Sequence, residues 1–327
     1  MSVTQSPKLN AGQKAAADGI LKFLLDPDQK ECIISGPGGV GKTFLMGHII
    51  DTIIPQYTDT CKIMGVDPVY TSVAMTATTN KAAGVLGVVT GRDTSTIQSF
   101  MNLRVYNDYK TGKTVLARGK NWQLHTNIVL FIDESSFIDQ ELLNFIREGT
   151  FKCKIIYVGD HCQLAPIMEK ISPIYTCGLP FFELTEPMRT NIPELHALNT
   201  QLRNTVETGV FSPIHVVPGI IDWMDADSME AAVQQHFIQE SNHRILAYTN
   251  ERVSDYNMYI RQLRNITTTY VEGEHLINNN VLMLKDGAIS VEEEVQVLDL
   301  STVTQMIRIE EGVELEVRYA TLKRPWG

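Results

Sequence analysis

With 327 residues, 43% of them hydrophobic, the chain is long enough for two or three domains with packed cores, which excludes a disordered polymer or a small stapled module. Its five cysteines (Cys32, Cys61, Cys153, Cys162 and Cys177) form no CxxC pair, so neither a disulfide framework nor a zinc ribbon is indicated. The formal charge of −10 excludes a broad basic surface and leaves room only for a local basic track if nucleic acid is a partner.

The opening MSVTQSPKLNAGQK lacks the basic-then-apolar layout of a secretion signal, and no run of about 18 apolar residues follows that could span a bilayer. Reduced thiols and a soluble chain in the cytoplasm, or a host's cytoplasm if viral, are expected. Four apolar runs then recur, each ending in a turn signal and a helical pattern: ECIIS before GPGGVGKT, YTSVAMTA before TTNKAA, NIVLFI before DESSF, and KIIYVG before DHCQL. This rhythm predicts an α/β domain over residues 1–190, a parallel sheet flanked by helices with ligand groups where strands end. Residues 104–122, within an insertion of about 102–127, break the rhythm with a Thr-Gly turn between two partly alternating arms, and predict a hairpin.

A second α/β unit is expected over 191–264. There Arg244 to Thr249 (RILAYT) reads as a buried strand, and Val253, Tyr256 and Ile260 fall at helical spacing. From 265 to 327 the stretches VLML, ISVEEEVQVLDL, TQMIRI and ELEVRYATL favour short strands, consistent with a small barrel-like insertion. Tyr248 and Tyr256 read as core side chains rather than stacking platforms.

The segment Gly36-Pro-Gly-Gly-Val-Gly-Lys42-Thr43 fits GxxxxGK[ST], with an apolar strand before it and helix-compatible FLMGHII after it. Such a loop curls backbone N–H groups around phosphates at a positive helix end, so Gly36, Gly38, Gly39, Val40, Gly41, Lys42, Thr43 and Phe44 are candidate ATP contacts. Lys42 is placed to reach the β and γ phosphates, and the Thr43 hydroxyl to bind Mg²⁺. Asp133 and Glu134 close a buried strand at the same sheet edge. Asp133 suits the Mg²⁺ shell and Glu134 the activation of the attacking water, although a strand-end DE pair can equally cap a helix. Gln163, in VGDHCQ, has the reach to sense a γ-phosphate, with Asp160 as support. The adjacent His161 and Cys162 lack a partner pair and do not make a zinc site.

Taken together these motifs resemble those of superfamily 1 helicases, most of all the Dda/RecD-like kind. LNAGQKAA resembles the Q motif, GPGGVGKT and DESSF motifs I and II, and ATTNKAA (77–83) and TSTIQSF (94–100) motifs Ia and Ib. GDHCQLAP resembles motif III, ELTEPMRT (183–190) motif IV, and AYTNERVSDYN the opening of a second RecA-like domain. The resemblance covers residues 9–261. It implies a P-loop RecA-like domain with a hairpin insertion, an incomplete second RecA-like domain and an SH3-like β-rich insertion. It further implies that Gln13 contacts adenine, that Arg189 reaches the γ-phosphate, and that Thr79, Asn80, Lys81, Thr96 and Gln98 hold DNA phosphates. The sequence departs from the family at Thr78, where proline is usual, and at Gln98, where histidine is common.

The hairpin carries Arg104, Lys110, Lys113, Arg118 and Lys120 against Asp108, with Tyr106, Tyr109 and Trp122 interleaved. In the family a hairpin here acts as a pin at the duplex junction; the bland reading is a solvated hairpin whose aromatics cover the domain beneath. Two later family motifs, one carrying an arginine of the second domain, are not found. The resemblance implies a 5′ to 3′ motor on single-stranded and fork DNA; either the present sequence is truncated or this branch has shed its end, and nucleotide binding with poor unwinding by this chain is expected. The family works as a monomer alongside single-stranded DNA-binding or replication proteins; replication, recombination and repair are not distinguished. The alternatives are a nucleotide- and DNA-binding module with little turnover, and a small-molecule kinase.

Overall fold

A computed structural model describes residues 8–108, 113–166, 169–239, 243–279, 282–284, 287–289, 293–310 and 313–324. The chain divides into two compact units between Pro213 and Ile214, so the first runs past the boundary expected at residue 190.

The first unit opens with α1 (Ala11–Leu25), started by a reciprocal capping box between Asn10 and Gln13 and burying Ala16, Ala17, Ile20, Phe23 and Leu24 along one stripe. β1 (Glu31–Ser35) leads through the glycine loop into α2 (Lys42–His48), and a π-helical turn, Ile49–Ile53, carries the chain into α3 (Ile54–Ile63). There follow β2 (Ser72–Ala77), α4 (Asn80–Thr90), β3 (Thr94–Thr96), α5 (Ile97–Phe100), the hairpin β4 (Leu103–Asp108) and β5 (Lys113–Arg118), and the short β6 (His125–Thr126). The unit is completed by β7 (Ile128–Asp133), α6 (Gln140–Glu148), β8 (Thr150–Phe151), β9 (Lys154–Gly159), β10 (Phe181–Glu183) and α7 (Pro193–Thr208).

Six strands form one sheet in the order β10-β1-β9-β7-β2-β3, every pairing parallel. All four runs picked out as strands are in it. Alternation along these strands separates two cores. Cys32, Ile34, Val129, Phe131, Ile156 and Val158 join the α1–α3 side, while Ile33, Leu130, Ile132, Ile155 and Tyr157 join Ile97, Leu142, Leu143 and Ile146 of α5 and α6. Both faces being covered explains why the runs read as continuously apolar. Lys154, fully buried at the start of β9, donates to the carbonyls of Phe23 (2.7 Å) and Asp26 (2.5 Å) and also to Gln29, which closes the α1–β1 turn.

The expected hairpin forms, with Leu103, Leu116 and Trp122 packed on the α6-side core. Tyr109 and Lys110, and the side chains of Asp108 and Lys113, lie outside the described residues.

In the second unit α8 (Ala226–Phe237) meets α9 (Asn250–Leu263) through the Tyr259 hydroxyl, 2.9 Å from Glu230. β11 (His275–Ile277), β14 (Glu294–Leu300) and β17 (Ala320–Lys323) form an antiparallel sheet, with β12 (Leu282–Leu284) paired to β13 (Gly287–Ile289) and β15 (Gln305–Glu310) to β16 (Val313–Val317). The strand expected over 244–249 is not formed, and Leu246 is 93% exposed. Among the described residues no strand lies beside it to complete a ladder, so its backbone has nothing to pair with. Tyr248 is likewise fully exposed rather than core, and Tyr256 is half-buried under the Arg252 guanidinium, 5.3 Å from its ring centre. No helix among the described residues is long and apolar enough to cross a membrane.

Candidate nucleotide and nucleic-acid site

The glycine loop begins where β1 ends. A Cβ on Gly36 would stand 2.3 Å from the Leu184 carbonyl oxygen, so β10 leaves room for no side chain there. Gly39 and Gly41 take φ of +86° and +81°, the left-handed region in which a Cβ is strained, while Val40 plugs the loop into the core. Gly38 is exposed at the tip, and Lys42 and Thr43 open α2, followed by Phe44 on its exposed side. The Lys42 ammonium donates to the carbonyls of Gly36 (2.6 Å) and Pro37 (3.1 Å), which folds it back over the loop. Burial lowers its pKa. The carboxylates of Asp133, Asp160 and Glu134 oppose that shift and Arg189 adds to it, so four charged side chains act on this one ammonium.

Two further residues touch the loop. Gln13 is fully buried, and its amide donates to the carbonyls of Val40 (3.2 Å) and Gly41 (3.5 Å) while its oxygen accepts from the Asn10 N–H (3.1 Å). That explains why the loop carries glycine at 41, since a Cβ there would meet the Gln13 nitrogen at 2.5 Å. The Met188 N–H donates to the Gly39 carbonyl at 2.7 Å, and a Cβ on Gly39 would meet that of Arg189 at 2.7 Å. Arg189 thus lies across the loop with its side chain exposed.

Asp133 ends β7 facing this edge. Burial raises its carboxyl to about 6, the Glu134 N–H donated to it at 2.9 Å opposes the shift, the Glu134 charge adds to it, and Lys42 lowers it. Glu134 itself has φ 51° and ψ 40°, left-handed backbone that a non-glycine residue rarely adopts. Thr43 and Asp133 are hard oxygen donors of the kind a divalent cation takes. Gln163 is exposed in the turn after β9, and among the described residues its amide makes no hydrogen bond to the loop. Its neighbour Asp160 is buried and pairs at 2.6 Å with Arg203 of α7, whose guanidinium also lies 3.5 Å from Glu183 and from Glu207. Asp160, His161 and Cys162 group their polar atoms within 4.8 Å, but Arg203 already supplies the positive charge and burial pushes the Cys162 thiol up to about 12, away from the thiolate a metal needs. Sequence reasoning missed Arg203, because an ion pair across 43 positions leaves no local pattern.

On the neighbouring strands Thr79 and Thr96 are N-caps, their hydroxyl oxygens accepting from the N–H groups of Ala82 and Ser99, each at 3.1 Å. Because β2 and β3 are adjacent in register, Ala77 opposite Thr96, two helix N-termini with Asn80, Lys81 and Gln98 in their first turns sit at one sheet edge. On the hairpin Arg104, Tyr106 and Lys120 are exposed, whereas Arg118 stacks 4.2 Å over Trp122 and pairs with Glu148 at 2.5 Å.

Residues 8–211 match the family model described as an AAA domain. Among curated proteins the chain is similar to the ATP-dependent DNA helicase dda of Enterobacteria phage T4, 28% identical over 271 residues, which is 78% of this chain and 57% of that protein. It is also similar to uncharacterized protein R530 of Acanthamoeba polyphaga mimivirus, 27% identical over 217 residues, covering 60% of this chain and 42% of that one. The chain therefore spans about half the length of the curated relatives it matches. Among solved structures it is similar to Bacteroides sp Pif1 in complex with ADP-AlF4, with TM-score 0.47, 13% identity and coverage of 98% of this chain and 82% of that one. Against Pif1 helicase from Candida albicans the TM-score is 0.42 with 17% identity, covering 97% and 76%. By a family model that spans more than half of its residues, the chain belongs to the AAA-domain family.

Proposed function

We propose that this chain binds ATP together with Mg²⁺, hydrolyses it, and couples hydrolysis to 5′ to 3′ movement along single-stranded DNA up to a fork, working as a monomer. The observation that carries the reading is the convergence on one P-loop of Lys42, Asp133, Glu134, Asp160 and Arg189, with Gln13 bracing the loop from beneath. In this reading the loop's backbone N–H groups and Lys42 hold the β and γ phosphates, and Arg189 neutralises charge that spreads over the γ oxygens. Glu134 orients and deprotonates the attacking water, with Gln163 swinging in from its turn to sense the γ-phosphate. Thr43 and Asp133 would hold Mg²⁺, and the fit rests on Asp133, a desolvated carboxyl raised to about 6 that a cation would return to its ionised form. When bound, that ion supplies charge neutralisation across the phosphate oxygens.

Gln13, whose amide is bonded to the loop in this conformation, would read adenine through its remaining acceptor capacity, from the loop side of the base. Thr79, Asn80, Lys81, Thr96 and Gln98 offer N–H, hydroxyl and amide groups to DNA phosphates without reading sequence. The hairpin's exposed Arg104, Tyr106 and Lys120 extend that track towards the duplex junction.

The test is ATP turnover by the purified chain with and without a dT oligonucleotide, alongside Lys42→Ala. DNA-stimulated turnover that Lys42→Ala abolishes supports the motor. Tight nucleotide binding with flat turnover replaces it by a nucleotide- and DNA-binding module, and phosphotransfer to a small molecule without DNA dependence replaces it by a kinase.

A further inference from the structure

Glu134 holds its left-handed backbone at a non-glycine position, so something must fix the peptide on either side of it. The Glu134 carbonyl accepts two hydrogen bonds, from the Thr78 hydroxyl at 2.9 Å and from the Phe137 N–H at 3.2 Å. The Thr78 N–H meanwhile donates to the Asp133 carbonyl at 3.2 Å. One buried threonine therefore grips both carbonyls of the acidic pair, at the point where β2 leaves its register with β7 at Ala77 opposite Asp133. A proline at this position would supply neither donor.

Thr78 has a second neighbourhood. The next residue, Thr79, caps α4 through Ala82, and the exposed Asn80 and Lys81 form that helix's first turn. Behind Thr78 the chain cannot give way, since Thr76 is buried and its hydroxyl donates to the Phe131 carbonyl at 2.8 Å. A displacement of the α4 N-terminus thus has a short route into the sheet edge, covalent as far as Thr78 and by hydrogen bond from there to the peptide that aims Glu134.

We infer that Thr78 is a positioning residue that couples occupancy of the Thr79–Lys81 segment by a strand phosphate to the placement of Asp133 and Glu134. The inference rests on the nucleotide and single-stranded DNA sites proposed above and adds the residue that joins them. Coupling between two ligands is reciprocal and measurable without turnover, which separates this claim from the question of activity.

The experiment titrates a fluorescent, non-hydrolysable ATP analogue with Mg²⁺ into the full chain, with and without a saturating dT oligonucleotide. The wild-type chain is expected to show an oligonucleotide-induced change in nucleotide affinity of about tenfold. Thr78→Val, which keeps the shape and loses the hydroxyl, should reduce that factor about fivefold, the worth of one neutral hydrogen bond, with each ligand alone binding within about twofold of wild type. Thr78→Ser should restore it. If valine disturbs the fold, as judged by circular dichroism, Thr78→Ala serves in its place. Full coupling in the hydroxyl-less variant, failure of serine to restore it, or a wild-type chain that binds both ligands independently overturns the inference while leaving the two sites standing. A wild-type chain that binds neither ligand overturns the sites and the inference with them.

Discussion

At Asp133 the protonation state decides what the site can hold. Its carboxyl is raised to about 6 by burial, above its value in the unfolded chain, so between the two values the folded state carries a proton that the unfolded state lacks. From this group alone the nucleotide-free fold is more stable in mild acid, and that contribution is lost as pH rises through about 6. Cation binding has the opposite sense because it requires the carboxylate. The Mg²⁺-dependent part of nucleotide affinity is expected to fall about tenfold per unit below pH 6, and Asp133→Asn to be weak and flat across the same range, measured by titration from about pH 5 to about pH 8. Gly36 gives a steric counterpart. Gly36→Ala must push the Leu184 carbonyl off a 2.3 Å contact, and it is expected to destabilise the first unit by about 2 kcal/mol and weaken nucleotide binding, read by urea unfolding and the same titration. The glycines, Lys42 and the acidic pair were legible in the sequence because a phosphate loop fixes residue type and spacing locally. Thr78 was not: in the sequence it stands only as a departure from the family pattern, whereas its two hydrogen bonds, to residues 55 and 56 positions away, exist only in the folded sheet.

At the scale of elements, α7 is tied to the first unit by charge more than by apolar packing. It buries no side chain completely, and Arg203, only 17% exposed, reaches an Asp160 carboxylate that is 6% exposed. Arg203→Ala would leave that carboxylate buried without its partner, so a loss of about 3 kcal/mol is expected, with Arg203→Lys intermediate because an ammonium cannot reproduce the fork that also serves Glu183. Urea midpoints of the three chains check this. Thr79→Ala should remove about 1 kcal/mol from α4 by stripping its cap, and should weaken binding of a dT oligonucleotide more than it weakens nucleotide binding. The four core strands were readable as strands because helices cover both faces and every position can be apolar. RILAYT offered the same composition without a neighbouring strand, and composition does not report the neighbour; the segment carries no regular secondary structure and bends into the Thr249 cap of α9.

For the molecule as a whole, burial is unevenly divided. The first unit carries two packed cores on opposite faces of a six-stranded sheet, whereas the buried apolar side chains described in the second are Val233, Ile289, Val295 and Val297. Unfolding is therefore expected in two steps, with amides of α8, α9 and β11–β17 exchanging with solvent well before those of β1, β7 and β9, which hydrogen-exchange mass spectrometry reads directly. A single cooperative transition with uniform protection would contradict this division.

The first helix illustrates how such a core reaches the chemistry. α1 is fastened at its beginning through Gln13 to the Val40 and Gly41 carbonyls, and at its end through the Lys154 ammonium to the Phe23 carbonyl of its last turns and to the Asp26 and Gln29 carbonyls of the turn that follows. A rod clamped at both ends transmits rather than absorbs. Widening of the phosphate loop would pull on fifteen residues of helix held against the sheet, so Lys154, about 20 Å along α1 from Gln13, is expected to contribute to the loop's stiffness.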